Sequence, residues 1–132
     1  MLKKFKLKTF GCQMNVYDSQ KISNIFYKLG YKTTFIDEEA DVYVINTCHI
    51  RNKAKQKLYS ELGKIYKIKK NRFQNSQSTI TIVAGCVAQA EGEEIFKRAP
   101  FVDIIVGSQS YQKLPNLIEK IKNENKEKNK QF

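Results

Sequence analysis

The chain contains three cysteines, and each follows an apolar run. Cys12 stands in "KTFGCQMN" directly after Gly11, Cys48 ends "DVYVINTC", and Cys86 stands in "ITIVAGCV" directly after Gly85. A thiolate is a soft anionic ligand and a nucleophile, so where the three thiols meet decides which chemistry is open to them. Three thiolates around one point suit an iron–sulfur cluster with one iron left open, or a three-cysteine metal site. The plain alternative is three small buried side chains. His49, the single histidine, could supply a fourth ligand beside Cys48 in a zinc site, although adjacent side chains usually point apart. No C-x-x-C pair is present for dithiol redox chemistry. A cysteine nucleophile would need His49 and a carboxylate beside it. An odd number of widely spaced cysteines also argues against a disulfide framework.

The elements that must position these thiols can be read from periodicity. Residues 5–10 read as a first strand. Asn15, Asp18 or Ser19 can cap a helix whose apolar face is Ile22, Ile25, Phe26 and Leu29, and Gly30 ends it in the left-handed conformation. "YKTTF" (31–35) is a second strand and "VYVIN" (42–46) a third, apolar on both faces and therefore central. A long helix over about 50–69 buries Ala54, Leu58, Leu62 and Ile65, followed by a polar loop, "NRFQNSQS". "TITIVAG" (79–85) is a fourth strand, a short helix covers 92–98, Pro100 breaks it, and "VDIIV" (102–106) is a fifth strand. A last helix spans 110–123, with Leu114, Leu117, Ile118 and Ile121 inward. The segment 123–132, "NENKEKNKQF", is charged and apolar-poor and reads as a disordered tail. Alternating strands and helices predict an α/β fold: one open, mostly parallel five-stranded sheet with helices on both faces, flavodoxin-like. In such a sheet the loops after strands one, three and four share the carboxyl edge, where ligands bind. Gly11 and Gly85 would let a bulky inorganic ligand approach the backbone there, and the following helix N-termini favour thiolate over thiol.

Length and composition set the frame. The chain has 132 residues, 41% of them hydrophobic, enough for one domain with a core. No apolar run approaches the ~18 residues of a membrane span, and "MLKKFKLKTF" lacks the apolar core of a secretion signal, so a cytoplasmic site is expected. Neither G-x-G-x-x-G after the first strand nor G-x-x-x-x-G-K-[ST] occurs, which removes the usual glycine loops for nucleotides. The net charge of +11 points to an anionic partner such as nucleic acid. Of 24 basic residues only Arg51, Arg72 and Arg98 are arginine, and a lysine-rich surface can equally be solvated. The helix after Cys48 begins with Arg51, Lys53, Lys55 and Lys57, a candidate for steering phosphates.

"TFGCQMNVYDS", "EEADVYVINTCHIRNKAKQKLYSELGKI", "GCVAQAEGEEI" and "RAPFVDIIVGSQSYQKLP" together resemble the N-terminal domain of the radical-SAM methylthiotransferases, over about residues 5–120. "GCQMN" and "NTCHIR" fit the branch that modifies dimethylallyladenosine in tRNA, rather than the one that modifies threonylcarbamoyladenosine. The branch that modifies a ribosomal protein would favour "GCPKN" and "NTCGF". The resemblance implies that Cys12, Cys48 and Cys86 bind one auxiliary 4Fe–4S cluster. It further implies transfer of a methylthio group to N6-dimethylallyladenosine at tRNA position 37. In that family a second 4Fe–4S cluster, in a radical-SAM domain, cleaves S-adenosylmethionine, and a further small domain binds RNA. The C-x-x-x-C-x-x-C of that second cluster is not found in these 132 residues, so a truncated or split product, inactive alone, is expected. Residues 1–122 would be the cluster domain, with tRNA, and a separately encoded radical-SAM domain, as partners. The contrasting expectation is a stand-alone iron–sulfur or zinc binding module, or a remnant without function.

Overall fold

The structure, a computed structural model, describes residues 3–10, 14–47, 52–75, 77–107 and 111–128; for Phe10, 14–18, 52–55, 86–91 and 124–128 it describes the backbone alone. Five strands, β1 (Lys4–Phe10), β2 (Lys32–Thr33), β3 (Val42–Thr47), β4 (Ile80–Ala84) and β5 (Ile104–Val106), form one sheet in the order β2-β1-β3-β4-β5. Every pairing is parallel, which is the expected flavodoxin-like arrangement. β3 and β4 are buried at every position, as their continuous β-branched runs require of central strands.

Four helices cover the two faces: α1 (Met14–Lys28), α2 (Asn52–Gln74), α3 (Cys86–Arg98) and α4 (Leu114–Lys128). Side chains alternate across a strand, so one face of the sheet offers Phe5, Val42, Val44, Ile80, Ile82 and Ala84 to α1 and α4. There Phe5 stacks on Phe26, with ring centroids 4.8 Å apart, and Ile22 and Leu114 are fully buried. The opposite face offers Tyr43, Ile45 and Val83 to Leu58, Leu62 and Ile65 of α2 and Ile95 of α3. Each such side chain contributes about 1.5–3 kcal/mol when fully buried.

α1 ends as its glycine predicts. Gly30 has φ +90°, its N–H meets Tyr27 O at 3.1 Å and the Tyr31 N–H meets Phe26 O at 2.9 Å, a Schellman pair. Several boundaries differ from expectation. α1 already includes Asn15, Asp18 and Ser19, so none of them caps it. Leu29 lies beyond the helix in the turn and is exposed rather than inward. β2 has only two residues and leaves Phe35 92% exposed, because the chain turns away into a 3-10 turn at Asp37–Glu39. β5 is likewise shorter than read.

α2 continues through "NRFQ", expected to be loop. The reason is Arg72, which is buried: its Nε donates to Thr79 Oγ1 at 2.6 Å and its Nη2 to Asp41 Oδ1 at 2.8 Å, while Nη1 donates to Glu38 O. α3 begins at once after β4, because the alanine-rich stretch before Gly92 is itself helix-forming. α4 follows a 3-10 turn (Tyr111–Lys113) and runs to Lys128, into the segment read as a disordered tail; lysine and glutamate there favour helix. No helix among the described residues is long and apolar enough to cross a membrane.

Candidate site at the carboxyl edge of the sheet

β1, β3 and β4 are consecutive neighbours, and their carboxyl ends stand side by side. Phe10 pairs with Thr47, and Asn46 with Ala84. Parallel strands lie ~4.8 Å apart, so the three ends span roughly 10 Å. Cys48 follows Thr47 in the chain, and Cys12 comes two residues after Phe10. Cys12, Cys48, Gly11, His49 and Arg51 lie outside the described residues. Cys86 is the first residue of α3, described by its backbone. Among the described residues no group of three or more His, Cys, Asp or Glu is arranged to hold a metal.

Gly85 shows what shapes this edge. It caps α3 with φ +110° and ψ −169°, a region that L side chains rarely enter. A Cβ here would lie 2.1 Å from Thr47 O and 2.9 Å from Asn46 Oδ1. The glycine therefore admits the β3 backbone into the space of its missing side chain. The expectation that Gly85 clears room for an inorganic ligand is corrected accordingly: that space is already filled by protein. What the glycine achieves is close approach of the β3 and β4 ends, with its N–H held by Val106 O at 3.1 Å.

Beneath the edge lies a polar chain that the sequence reading missed. Asn46 is fully buried and its Nδ2 donates to Ser19 Oγ at 3.2 Å. Ser19 Oγ and Thr9 Oγ1 share a hydrogen bond of 2.5 Å. One residue each from β3, α1 and β1 is thereby joined, next to the segments that carry Cys48 and Cys12. Thr47 is buried too, and its Oγ1 has no hydrogen-bond partner among the described residues. The available signal was a polar "NT" ending an otherwise apolar "VYVI" strand.

Further polar groups, buried or half-buried, join α2 to the sheet. Lys69 donates to Asp103 Oδ2 at 2.6 Å, and that same oxygen accepts the Thr81 N–H at 2.9 Å. Glu61 accepts from Lys8 Nζ at 2.5 Å and from the Tyr43 hydroxyl at 3.3 Å. Burial, then the charges of Asp37 and Glu61, push the Tyr43 hydroxyl well above the usual tyrosine range, so it stays a neutral donor. Glu61 and Asp103 thus hold helix α2 to the sheet and its flank.

Residues 4–107 match Uncharacterized protein family UPF0004. The chain is 60% identical over 122 residues to the tRNA-2-methylthio-N(6)-dimethylallyladenosine synthase of Rickettsia conorii, and 58% identical over 122 residues to that of Rickettsia prowazekii. Each match covers 92% of this chain and 27% of the relative, so the chain spans about a quarter of the length of these relatives.

Proposed function

This chain belongs to the UPF0004 family, and on that footing we propose that it forms the sulfur-holding part of a tRNA methylthiotransferase, with Cys12, Cys48 and Cys86 as ligands of one 4Fe–4S cluster. The observation that carries this reading is the sheet order: the three cysteine-bearing segments follow three adjacent parallel strands. Three thiols with no fourth cysteine fit a cluster that keeps one iron free of protein ligands. When bound, such a cluster supplies a site where an external sulfur can be held.

The rest is the work of this chain's own residues. Gly85 lets β3 and β4 close up, and the chain Asn46–Ser19–Thr9 ties β3 to β1 through α1. The segments that bear the thiols therefore start from fixed points. The N-terminus of α3, which begins at Cys86, favours the ionised thiolate over the thiol. The relatives' name supports N6-dimethylallyladenosine in tRNA as the acceptor, and a tRNA-modifying role would place the work in the cytoplasm. Reductive cleavage of S-adenosylmethionine belongs, in this reading, to a C-x-x-x-C-x-x-C site that these 132 residues do not include.

Anaerobic reconstitution with iron and sulfide tests the site. The expected result is about four irons and four sulfides per chain. Replacing Cys12, Cys48 and Cys86 together by Ala should abolish both. Iron and sulfide retained by the triple variant would refute the assignment, and zinc bound without sulfide under the same conditions would replace it with a zinc site.

A further inference from the structure

The outward face of α2 differs from those of α3 and α4. Lys57, Lys64, Lys67 and Lys70 are all exposed along it. Glu61 is the single acidic residue of Asn52–Gln74; it is buried, and Lys8 and Tyr43 engage it. Lys64 touches it only at 3.8 Å, and Lys57, Lys67 and Lys70 have no carboxylate in ion-pair reach among the described residues. The neighbouring helices differ. α3 exposes Glu93 and Glu94 with Lys97 and Arg98, and α4 exposes Glu119 beside Lys120. Like charges one turn apart on a helix repel, so this row is held at some cost to the helix.

We infer that the outward face of α2, through Lys57, Lys64, Lys67 and Lys70, is a docking track for the phosphate backbone of RNA. The inference rests on the proposed role in tRNA modification and adds the surface that would hold the substrate. At 1.5 Å per residue, Lys57 to Lys70 covers roughly 20 Å, enough to meet several consecutive phosphates. α2 begins at Asn52, four residues after Cys48, so the track starts next to the proposed site and leads away from it. An RNA lying on it would have one end at the carboxyl edge of the sheet. Tyr66, half exposed between these lysines and braced by Phe101 at 5.2 Å between ring centroids, adds an aromatic surface on which a base can stack. Lysine contacts of this kind position a backbone without reading sequence.

The test is a binding titration of the full chain with an unmodified tRNA transcript at several salt concentrations. The combined variant Lys57→Gln, Lys64→Gln, Lys67→Gln should bind at least tenfold more weakly in low salt. Its salt slope should be shallower by roughly 2–3, about one for each lost contact. The control, Lys28→Gln, Lys113→Gln, Lys120→Gln, removes the same charge from other exposed positions and should change affinity less than about twofold. Thermal melts verify that both variants are folded. Equal losses in the two variants would overturn the track while leaving tRNA as the substrate. Binding of phosphatidylserine vesicles but not of tRNA would overturn it in favour of a membrane surface. The iron and sulfide count is independent of these residues, so failure of the track and failure of the cysteine site are read separately.

Discussion

Gly85 has two constraints at once, a φ of +110° and a β3 carbonyl where a Cβ would sit. Backbone strain alone costs about 1–3 kcal/mol at such a position, and overlap with main chain cannot be relieved by a rotamer change. Gly85→Ala should therefore lower stability by at least about 3 kcal/mol. Gly63 provides the contrast: it lies within α2, and a Cβ there meets nothing within 4 Å. Gly63→Ala should raise stability by about 0.5–1 kcal/mol through helix propensity. Urea melts of the two variants decide the point, and equal midpoints would mean that the close approach of β3 and β4 does not matter. At this scale the strand ends that precede the cysteines were legible, because an apolar run that stops marks a strand end whatever the exact register. Asn46, Ser19 and Thr9 were not. Their hydrogen bonds link residues far apart in the chain, and a single sequence carries no sign that a serine within α1 faces an asparagine in β3.

Helix lengths were the part of the architecture least visible beforehand, and α2 shows why. Periodicity identifies its apolar stripe, Leu58, Leu62 and Ile65, but the stripe ends before the helix does. The last turn is held by Arg72, a polar anchor that reaches Thr79, Asp41 and the Glu38 carbonyl. Composition made the same turn look like a loop. α3 was shortened for the opposite reason: Gly92 reads as a boundary, yet the helix passes through it with Ile105 Cγ2 at an ordinary 3.6 Å from a would-be Cβ. The open parallel sheet, by contrast, followed from alternation of strand and helix; its order β2-β1-β3-β4-β5 did not, because right-handed crossovers leave several strand orders open. The Arg72 anchor makes a specific prediction. Removing the buried cation takes the Arg72 donors from Asp41 Oδ1 and Thr79 Oγ1, so Arg72→Ala should cost roughly 3 kcal/mol. Lys64→Ala, at an exposed position of the same helix, should stay within about 0.5 kcal/mol. If denaturant midpoints place both variants with the parent protein, the buried arginine does not secure the end of α2.

As a whole molecule, the fold separates two kinds of charge. Ion pairs such as Lys69–Asp103, Arg72–Asp41 and Lys8–Glu61 fasten helix α2 to the sheet and its flanks, while the lysines on the outer face of α2 are left facing solvent. Part of the net charge of +11 thus stands where an anionic partner can approach, and the core does not depend on that partner. Two closed apolar layers on a five-stranded sheet give these residues what a domain needs to fold alone. Chemistry is a different matter. Methylthiolation needs a carbon-centred radical as well as a sulfur donor, and radical formation from S-adenosylmethionine requires its own reducible cluster. In the proposed function the three cysteines present all serve the sulfur site, and no glycine-rich nucleotide loop is found in the sequence. The purified 132-residue chain, reconstituted and reduced, should therefore produce no 5′-deoxyadenosine from S-adenosylmethionine and no methylthiolated adenosine in dimethylallylated tRNA. Chromatography with mass detection measures both products. Either one, formed by a preparation free of host methylthiotransferase, would defeat this division of labour. Supplying a radical-SAM domain in trans should restore methylthiolation, and that activity should vanish with Cys12→Ala, Cys48→Ala or Cys86→Ala while 5′-deoxyadenosine formation persists. Loss of both products together would place the cysteines in radical generation instead of sulfur supply.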